Sequence, residues 1–421
     1  VTPSKKLLLK ALVLAGPVLL FPLARAYYVF YVAILVWGLA EAGLPALWRN
    51  NRALRLATCA LGLPILATFL AWLLRGELHA EWLEKVGVVA LGGLLGLSTA
   101  QLASDPGLRS RVGLVLCLVV GSWILDGLLQ MFTGHSIDCR DAISACTRDD
   151  RISLYWASQA KISYYIGLFV FLPASWLISQ GRMRAGLVLL VLGGGVTMAA
   201  ASRFSMLSWL LGCGAVALVA TLRMPRRVRL GVALGLPVLL LLAGGLLYIS
   251  NPSFENRMDR TAQIFQGDDY NAANKALSGR LDIWGPTLEM LRERWVFGVG
   301  PEGLDGAVRP YLGEDNAFAN IRIFHAHQVV LDIAAATGLV GLAAFLAFYA
   351  WVGREFLRAC RDGIDLRWSA LLVFLLMWFP LNSPNGFYAS EMLLVSFYIL
   401  GLAFGFRPAS GPAPAIGKSA T

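Results

Sequence analysis

Apolar runs long enough, or nearly long enough, to cross a hydrocarbon core of about 30 Å as helices recur from one end of this chain to the other. They fall near residues 7–24, 28–44, 54–74, 82–102, 112–132, 162–179, 186–201, 205–222, 230–249, 329–352, 368–384 and 392–406. Lipid offers no partner to backbone N–H and C=O groups, so the pattern predicts an all-α integral membrane protein of about 12 transmembrane helices. The rhythm fails once: between 251 and 328 polar and apolar positions mix and no run spans. The chain therefore divides into four parts. Residues 1–250 form a transmembrane bundle of about nine spans with a polar loop at 133–160, and residues 251–328 form a large extramembrane loop. Residues 329–406 supply the remaining spans, and 407–421, rich in Pro, Ala and Gly, read as a flexible tail.

The large loop has a periodicity of its own. Leu281, Trp284, Leu288, Leu291 and Trp295 recur at three- and four-residue steps, with Asp282, Glu289, Arg292 and Glu293 mostly opposite. That spacing predicts an amphipathic helix able to lie along a membrane surface. Ser278 is its expected N-cap, which puts Arg280 in the first turn, where free N–H groups and the helix dipole favour an anion. Residues 298–303 spell Gly-x-Gly-x-x-Gly. A dinucleotide fingerprint needs a buried strand before it and a helix after it, so here the motif predicts a tight turn that brings backbone close to another element.

Composition agrees with the pattern: 57% hydrophobic and 15% charged residues exclude an ordinary soluble globule. The net charge of +10 is distributed by loop. Lys5, Lys6 and Lys10 open the chain, and the basic groups Arg49/Arg52/Arg55, Arg109/Arg111, Arg182/Arg184, Arg223/Arg226/Arg227/Arg229 and Arg354/Arg358/Arg361/Arg367 occupy every second loop. Basic loops stay cytoplasmic, so both termini, including Arg407 and Lys418, are expected there. The turn at 201–203, the 133–160 loop and the large loop then face the opposite compartment. Topology accounts for the charge, and no nucleic-acid partner is implied. The first run lacks a small-residue cleavage site and is taken as a retained span.

On that outer side stand Arg203, Arg280 and the run His325-Ala326-His327-Gln328. Arginine keeps its charge when desolvated and offers a planar fork to phosphate oxygens. The alternatives are snorkelling for Arg203 and an ion pair with Asp282 for Arg280. His327 at the mouth of a span is either an interfacial anchor or a general base titrating near neutrality. On a helix His325 and His327 point apart, and no Cys or carboxylate stands where it would complete a metal site, so neither metal nor cofactor is expected. Asp126 and Gln130, near the outer end of their span, are functional candidates as polar groups at membrane depth. Lys161, Tyr164 and Tyr165, like Asn382, Ser383 and Asn385, are read as interfacial. Cys139 and Cys146 predict a disulfide in an oxidising compartment, whereas Cys59, Cys117, Cys213 and Cys360 read as small buried residues.

Several of these features combine: Arg203 in a short outer turn, Ser278-Gly279-Arg280-Leu281-Asp282-Ile283-Trp284, Phe297-Gly298-Val299-Gly300-Pro301, and His325-Ala326-His327-Gln328 followed by Leu331 and Gly338-Leu339-Val340-Gly341. As an ensemble they resemble the bacterial O-antigen ligase and polymerase superfamily, closely over the last half of the chain. The family's usual Asn or Ser after the key histidine is Gln328 here. The resemblance implies a glycosyltransferase of the bacterial inner membrane with a periplasmic active site. It would move a glycan from undecaprenyl diphosphate to lipid A–core oligosaccharide, in lipopolysaccharide biosynthesis, with inversion and without metal or other cofactor. It implies His327 as catalytic base, chosen by its spacing to Leu331 and Gly338, and Arg203 and Arg280 as ligands of the diphosphate. His325, Gln328, Asp126 and Gln130 would support them. The implied partners are the lipid-linked glycan, the lipid A–core acceptor and membrane lipids. An O-antigen polymerase or a protein O-glycosyltransferase of the same superfamily is the alternative. A transporter is disfavoured, because the polar groups gather at one face and not at the midplane of two symmetric halves.

Overall fold

The computed structural model describes residues 3–20, 26–73, 80–133, 159–200, 202–222, short pieces between 244 and 262, 270–380 and 385–406. The expected Cys139–Cys146 disulfide, most of the 133–160 loop and of the 230–249 span, Asn382, Ser383 and the 407–421 tail lie outside the described residues.

Among the described residues the regular elements are all helical. The bundle comprises α1 (Pro3–Leu20), α2 (Tyr28–Ala42), α3 (Leu44–Asn50), α4 (Arg52–Leu73), α5 (Ala80–Ala103), α6 (Leu108–Thr133), α7 (Gln159–Phe169), α8 (Phe171–Ser179), α9 (Met183–Ala199) and α10 (Arg203–Leu222). The large loop holds α11 (Tyr270–Ala276), α12 (Leu281–Arg294) and α13 (Leu304–Val308), and the chain returns through α14 (Val329–Asp362), α15 (Leu366–Met377) and α16 (Ser390–Gly405).

Five of these helices, α4, α5, α6, α10 and α14, are long and apolar enough to cross a membrane, or six if the pair α2–α3 counts as one. The stretch 164–179 and helices α9, α15 and α16 are apolar but shorter, at 10–17 residues. The expected span at 28–44 is helical over Tyr28–Ala42, and at Gly43, whose φ of 71° is left-handed, the chain turns by 91° into α3. The run at 368–384 contracts to the twelve residues of α15. Cys59 is exposed on the outside of the bundle, contrary to the expectation of burial, while Cys117, Cys213 and Cys360 are half-buried.

Helix α16 runs against α5 at close range, because a Cβ at Gly401 would lie 2.6 Å from the Gly96 carbonyl oxygen and one at Gly96 2.9 Å from that of Phe397. Small residues let the backbones meet where lipid supplies no hydrophobic drive between helices. The two ends of the bundle differ in chemistry. At one end Lys10 pairs with Glu41 at 2.7 Å and with Asp105 at 3.7 Å, and Arg109 pairs with Asp365 at 3.2 Å. At the other, Tyr27 donates to Glu391 at 3.4 Å, and buried Lys85 reaches Glu302 of the large loop and Ser390 at 3.0 Å. Tyr164 and Tyr165 are buried in the core, 2% and 3% exposed, and so form no interfacial belt.

The large loop folds as a cap with its own apolar centre of Ile283, Met290, Val299, Leu304, Val308, Ile323, Ala326 and Ala335. The buried stripe of α12 is Ile283, Thr287 and Met290, rotated from the expected one, and Leu288 and Trp295 are each 56% exposed. Thr287 fits the apolar side because its hydroxyl donates to the Ile283 carbonyl at 2.7 Å.

Candidate active site

What fixes the cap on the bundle is a backbone-to-backbone clasp. Helix α14 breaks at Gly338, where φ is 65° and ψ −166°. The break releases carbonyls before it and N–H groups after it. The turn 295–300 takes both: Val299 and Gly300 donate to the carbonyls of Ala335 and Ala336 at 2.8 and 2.9 Å, while Leu339 and Val340 donate to those of Trp295 and Val296 at 2.8 and 3.3 Å. Thr68 on α4 adds a bond to the Phe297 carbonyl at 3.2 Å. The Gly-x-Gly segment is thus a tight turn serving a neighbouring helix, and the residues between Val329 and Thr337 form a short helix apart from the spanning part of α14.

The histidine run leads into that short helix. Gln328 caps it, its side-chain oxygen accepting from the Leu331 N–H at 2.5 Å while its amide donates to the Pro380 carbonyl at 2.9 Å. Asp332, buried, receives the N–H groups of Ala326 and Phe387 at 3.1 and 2.7 Å. Trp284 of α12 donates to the Ala326 carbonyl at 2.9 Å. Held from three sides, the run does not continue as a helix, and His327 adopts a φ of 54°. The two imidazoles therefore approach, with ring centroids 4.0 Å apart, and the His327 N–H donates to His325 Nδ1 at 3.2 Å. Helical geometry would have separated them.

Arg280 arrives by a different route from the one expected. Helix α11 ends in a left-handed turn at Ser278 and Gly279, with φ of 60° and 77°, so Ser278 is no N-cap. The cap of α12 is Asn274, whose side-chain oxygen accepts from the Leu281 N–H at 3.0 Å. Asp282 is occupied by Tyr270 and Asn274 at 2.8 and 2.7 Å and forms no pair with Arg280. Arg203, at the start of α10, donates to the Ala276 carbonyl at 2.5 Å, which ties the bundle to the end of α11 four residues before Arg280. Burial, and then the charge of Arg203, pull the Arg280 guanidinium below the usual arginine range. Burial, and then Arg280, push the His325 imidazole down to about 4. Arg203, Arg280, His325 and His327 thus gather at one end of the bundle, and the guanidinium of Arg280 has no carboxylate partner among the described residues.

A pocket of about 340 Å³ opens beside His325. Its walls include Gly300, Glu302, Arg322, Phe324, Asp332 and Tyr388. Asp126 and Gln130 are both buried on α6, and the amide of Gln130 has no hydrogen-bond partner among the described residues. Among the described residues no three His, Cys, Asp or Glu side chains converge. Sequence reasoning passed over Asn274, Lys85, Glu302 and the Arg322–Phe324 pair. A lysine in the outer turn of a long apolar run was a signal for Lys85, whereas the others are ordinary loop residues whose importance comes only from their neighbours.

No curated protein matches the chain. The family model for O-antigen ligases matches residues 187–346, from α9 through the break in α14. The matched stretch contains both arginines, both histidines, Gln328 and the two halves of the clasp; Asp126 and Gln130 fall outside it. Ligases and polymerases of this superfamily are glycosyltransferase-type enzymes that handle lipid-linked glycans, which fits a multi-pass bundle with its polar groups collected at one end. The match identifies residues 187–346, the stretch that carries the arginines, the histidines and the clasp, as similar to O-antigen ligases.

Proposed function

We propose that the protein is an O-antigen ligase that transfers a glycan from undecaprenyl diphosphate to lipid A–core oligosaccharide on the periplasmic face of the inner membrane. The observation that carries this reading is Arg280, desolvated and beside a second guanidinium, with no carboxylate among the described residues to offset it. A buried cation is costly unless paired, and a diphosphate is the anion that two adjacent forks suit. Arg203 and Arg280 hold the leaving group and stabilise the charge that grows on it as the glycosidic bond breaks.

His327 acts as general base. The acceptor hydroxyl oxygen attacks the anomeric carbon, His327 takes its proton, and the carbon–oxygen bond to the diphosphate breaks with its electron pair leaving on undecaprenyl diphosphate. Attack opposite the leaving group inverts the anomeric centre. His325 is the poorer base of the two, because its basicity is depressed and its Nδ1 already accepts the His327 N–H. It is a positioning residue, as is Gln328 through its cap. The basic residues Lys10, Arg109 and Arg367 lie at the far end of the bundle from this site, which supports the periplasmic orientation.

Deleting the gene tests the reading. Free lipid A–core together with long glycan still on undecaprenyl diphosphate is the expected result. Lipid A–core carrying a single repeat unit would mark a polymerase, and unchanged surface glycolipid would exclude both.

A further inference from the structure

We infer that the pocket beside His325 seats a sugar ring of the acceptor, with Phe324 as its stacking platform and Arg322 and Glu302 as its polar anchors. The inference rests on the proposed transfer reaction and names the part of the site that reaction leaves unassigned. Neither Arg203 nor Arg280 lines the pocket, whereas His325 both lines it and feels the charge of Arg280. His325 is therefore the residue that joins the cationic centre to the pocket. In-line displacement requires the acceptor on the side of the anomeric carbon away from the diphosphate, with the base next to the acceptor hydroxyl. The pocket lies on the His325 side of the pair, and the ring centre of His327 is 4.0 Å from that of His325, within one ring of the pocket wall.

Its chemistry is that of a saccharide site. Phe324 is 70% exposed although it lines a concave surface, and an apolar ring left open to water is stabilised when something apolar covers it. The segment from Arg322 to Ala326 has no regular helical or strand structure. The Arg322 guanidinium lies 4.9 Å from the Phe324 ring centre and makes no ion pair or hydrogen bond among the described residues. In the same lining, the carboxylate of Glu302 is held by buried Lys85 and so is fixed in place as an acceptor. An aromatic face with a donor and an acceptor at its rim matches a ring that has C–H groups on one face and hydroxyl or acidic groups at its edge. A volume of about 340 Å³ lies at the small end of the range for ligand pockets, enough for a short saccharide and too little for a long chain.

The test uses the full-length protein in detergent and two probes measured separately for binding: lipid A–core glycolipid without O-units, and undecaprenyl diphosphate-linked glycan. Phe324→Ala and Arg322→Gln are expected to weaken lipid A–core binding about 3- to 10-fold, the order of one stacking contact, to raise the acceptor KM to match, and to leave donor binding and kcat near wild type. Phe324→Trp should restore binding. Wild-type protein that fails to bind lipid A–core, or variants that bind it normally, would overturn the inference. So would loss of donor binding alone, which would make this the donor's glycan subsite, or an equal loss for both lipids, which would make Phe324 a membrane anchor. Binding that responds to the variants without any transfer onto lipid A–core would instead remove the ligase reading and leave the pocket assignment standing.

Discussion

Replacing Gly338 by Ala strikes the clasp directly. A Cβ built on Gly338 lies 2.1 Å from the Val296 carbonyl oxygen and 2.2 Å from its carbon, both backbone atoms that cannot turn aside. An L-residue at this left-handed φ costs about 1–2 kcal/mol by itself. Relieving the overlap means withdrawing the 295–300 turn, with four backbone hydrogen bonds at stake that contribute about 0.5–1.5 kcal/mol each, and more where a buried group stays unpaired. The expected loss is about 3–8 kcal/mol, enough to detach the cap or prevent folding. Thermal unfolding of the purified protein followed by tryptophan fluorescence, together with limited proteolysis across 295–303, reads the effect. Gly285→Ala in α12 is the control: its added methyl meets nothing within 4 Å, and a helix gains about 1 kcal/mol from the change. A Gly338→Ala protein with wild-type unfolding and no new cleavage would refute the clasp as the anchor of the site.

His327→Ala is expected to lower transfer by about 10²–10⁴-fold while undecaprenyl diphosphate-glycan binding persists, and His325→Ala to be milder; full turnover without His327 would end the base assignment. Arg203→Lys and Arg280→Lys should each weaken donor binding despite the retained charge, since a point ammonium cannot reproduce a bidentate grip; normal affinity in both would discard the clamp. The neutral His325 of the folded state, at about 4 against an ordinary 6.5, makes stability complete above pH 6.5 and progressively lost as pH falls toward 4. His325→Gln should flatten that part of the stability–pH profile, and an unchanged slope would assign it to other groups. Single-cysteine variants at position 139 and at exposed Glu314 of the large loop are expected to react with an impermeant thiol reagent from the periplasmic side, and labelling only after the inner membrane is opened would reverse the topology.

Legibility followed the range of the interaction. Apolar runs are local, and most of them became helices near their expected bounds, as at α5, α6 and α10. Breaks inside a run were hidden, because a glycine at 43 or 338 looks the same whether it packs or bends, and only the partner turn at 295–300 decides. The amphipathic helix was visible but not its inward face, since Leu288 and Ile283 are equally apolar and the choice between them is made by the other helices of the cap. Arg203, Arg280 and His327 stood out as charged or titratable groups beside spans, aided by a resemblance. Their mutual arrangement was beyond the sequence, because Arg203 and Arg280 are brought together through the Ala276 carbonyl and the histidines through a non-helical turn.

The clasp between the 295–300 turn and the broken helix is made almost entirely of main-chain atoms, and this frees the side chains around it. Apart from the glycines that need left-handed conformations or close approach, substitutions along the turn and the short helix can change the lining of the pocket without disturbing the bonds that hold it. A pocket built this way can have its lining altered by ordinary point substitutions at positions such as Arg322 and Phe324. Arg203, Arg280 and the histidine pair would keep their positions throughout, so that the pocket and the cationic centre can vary on separate schedules.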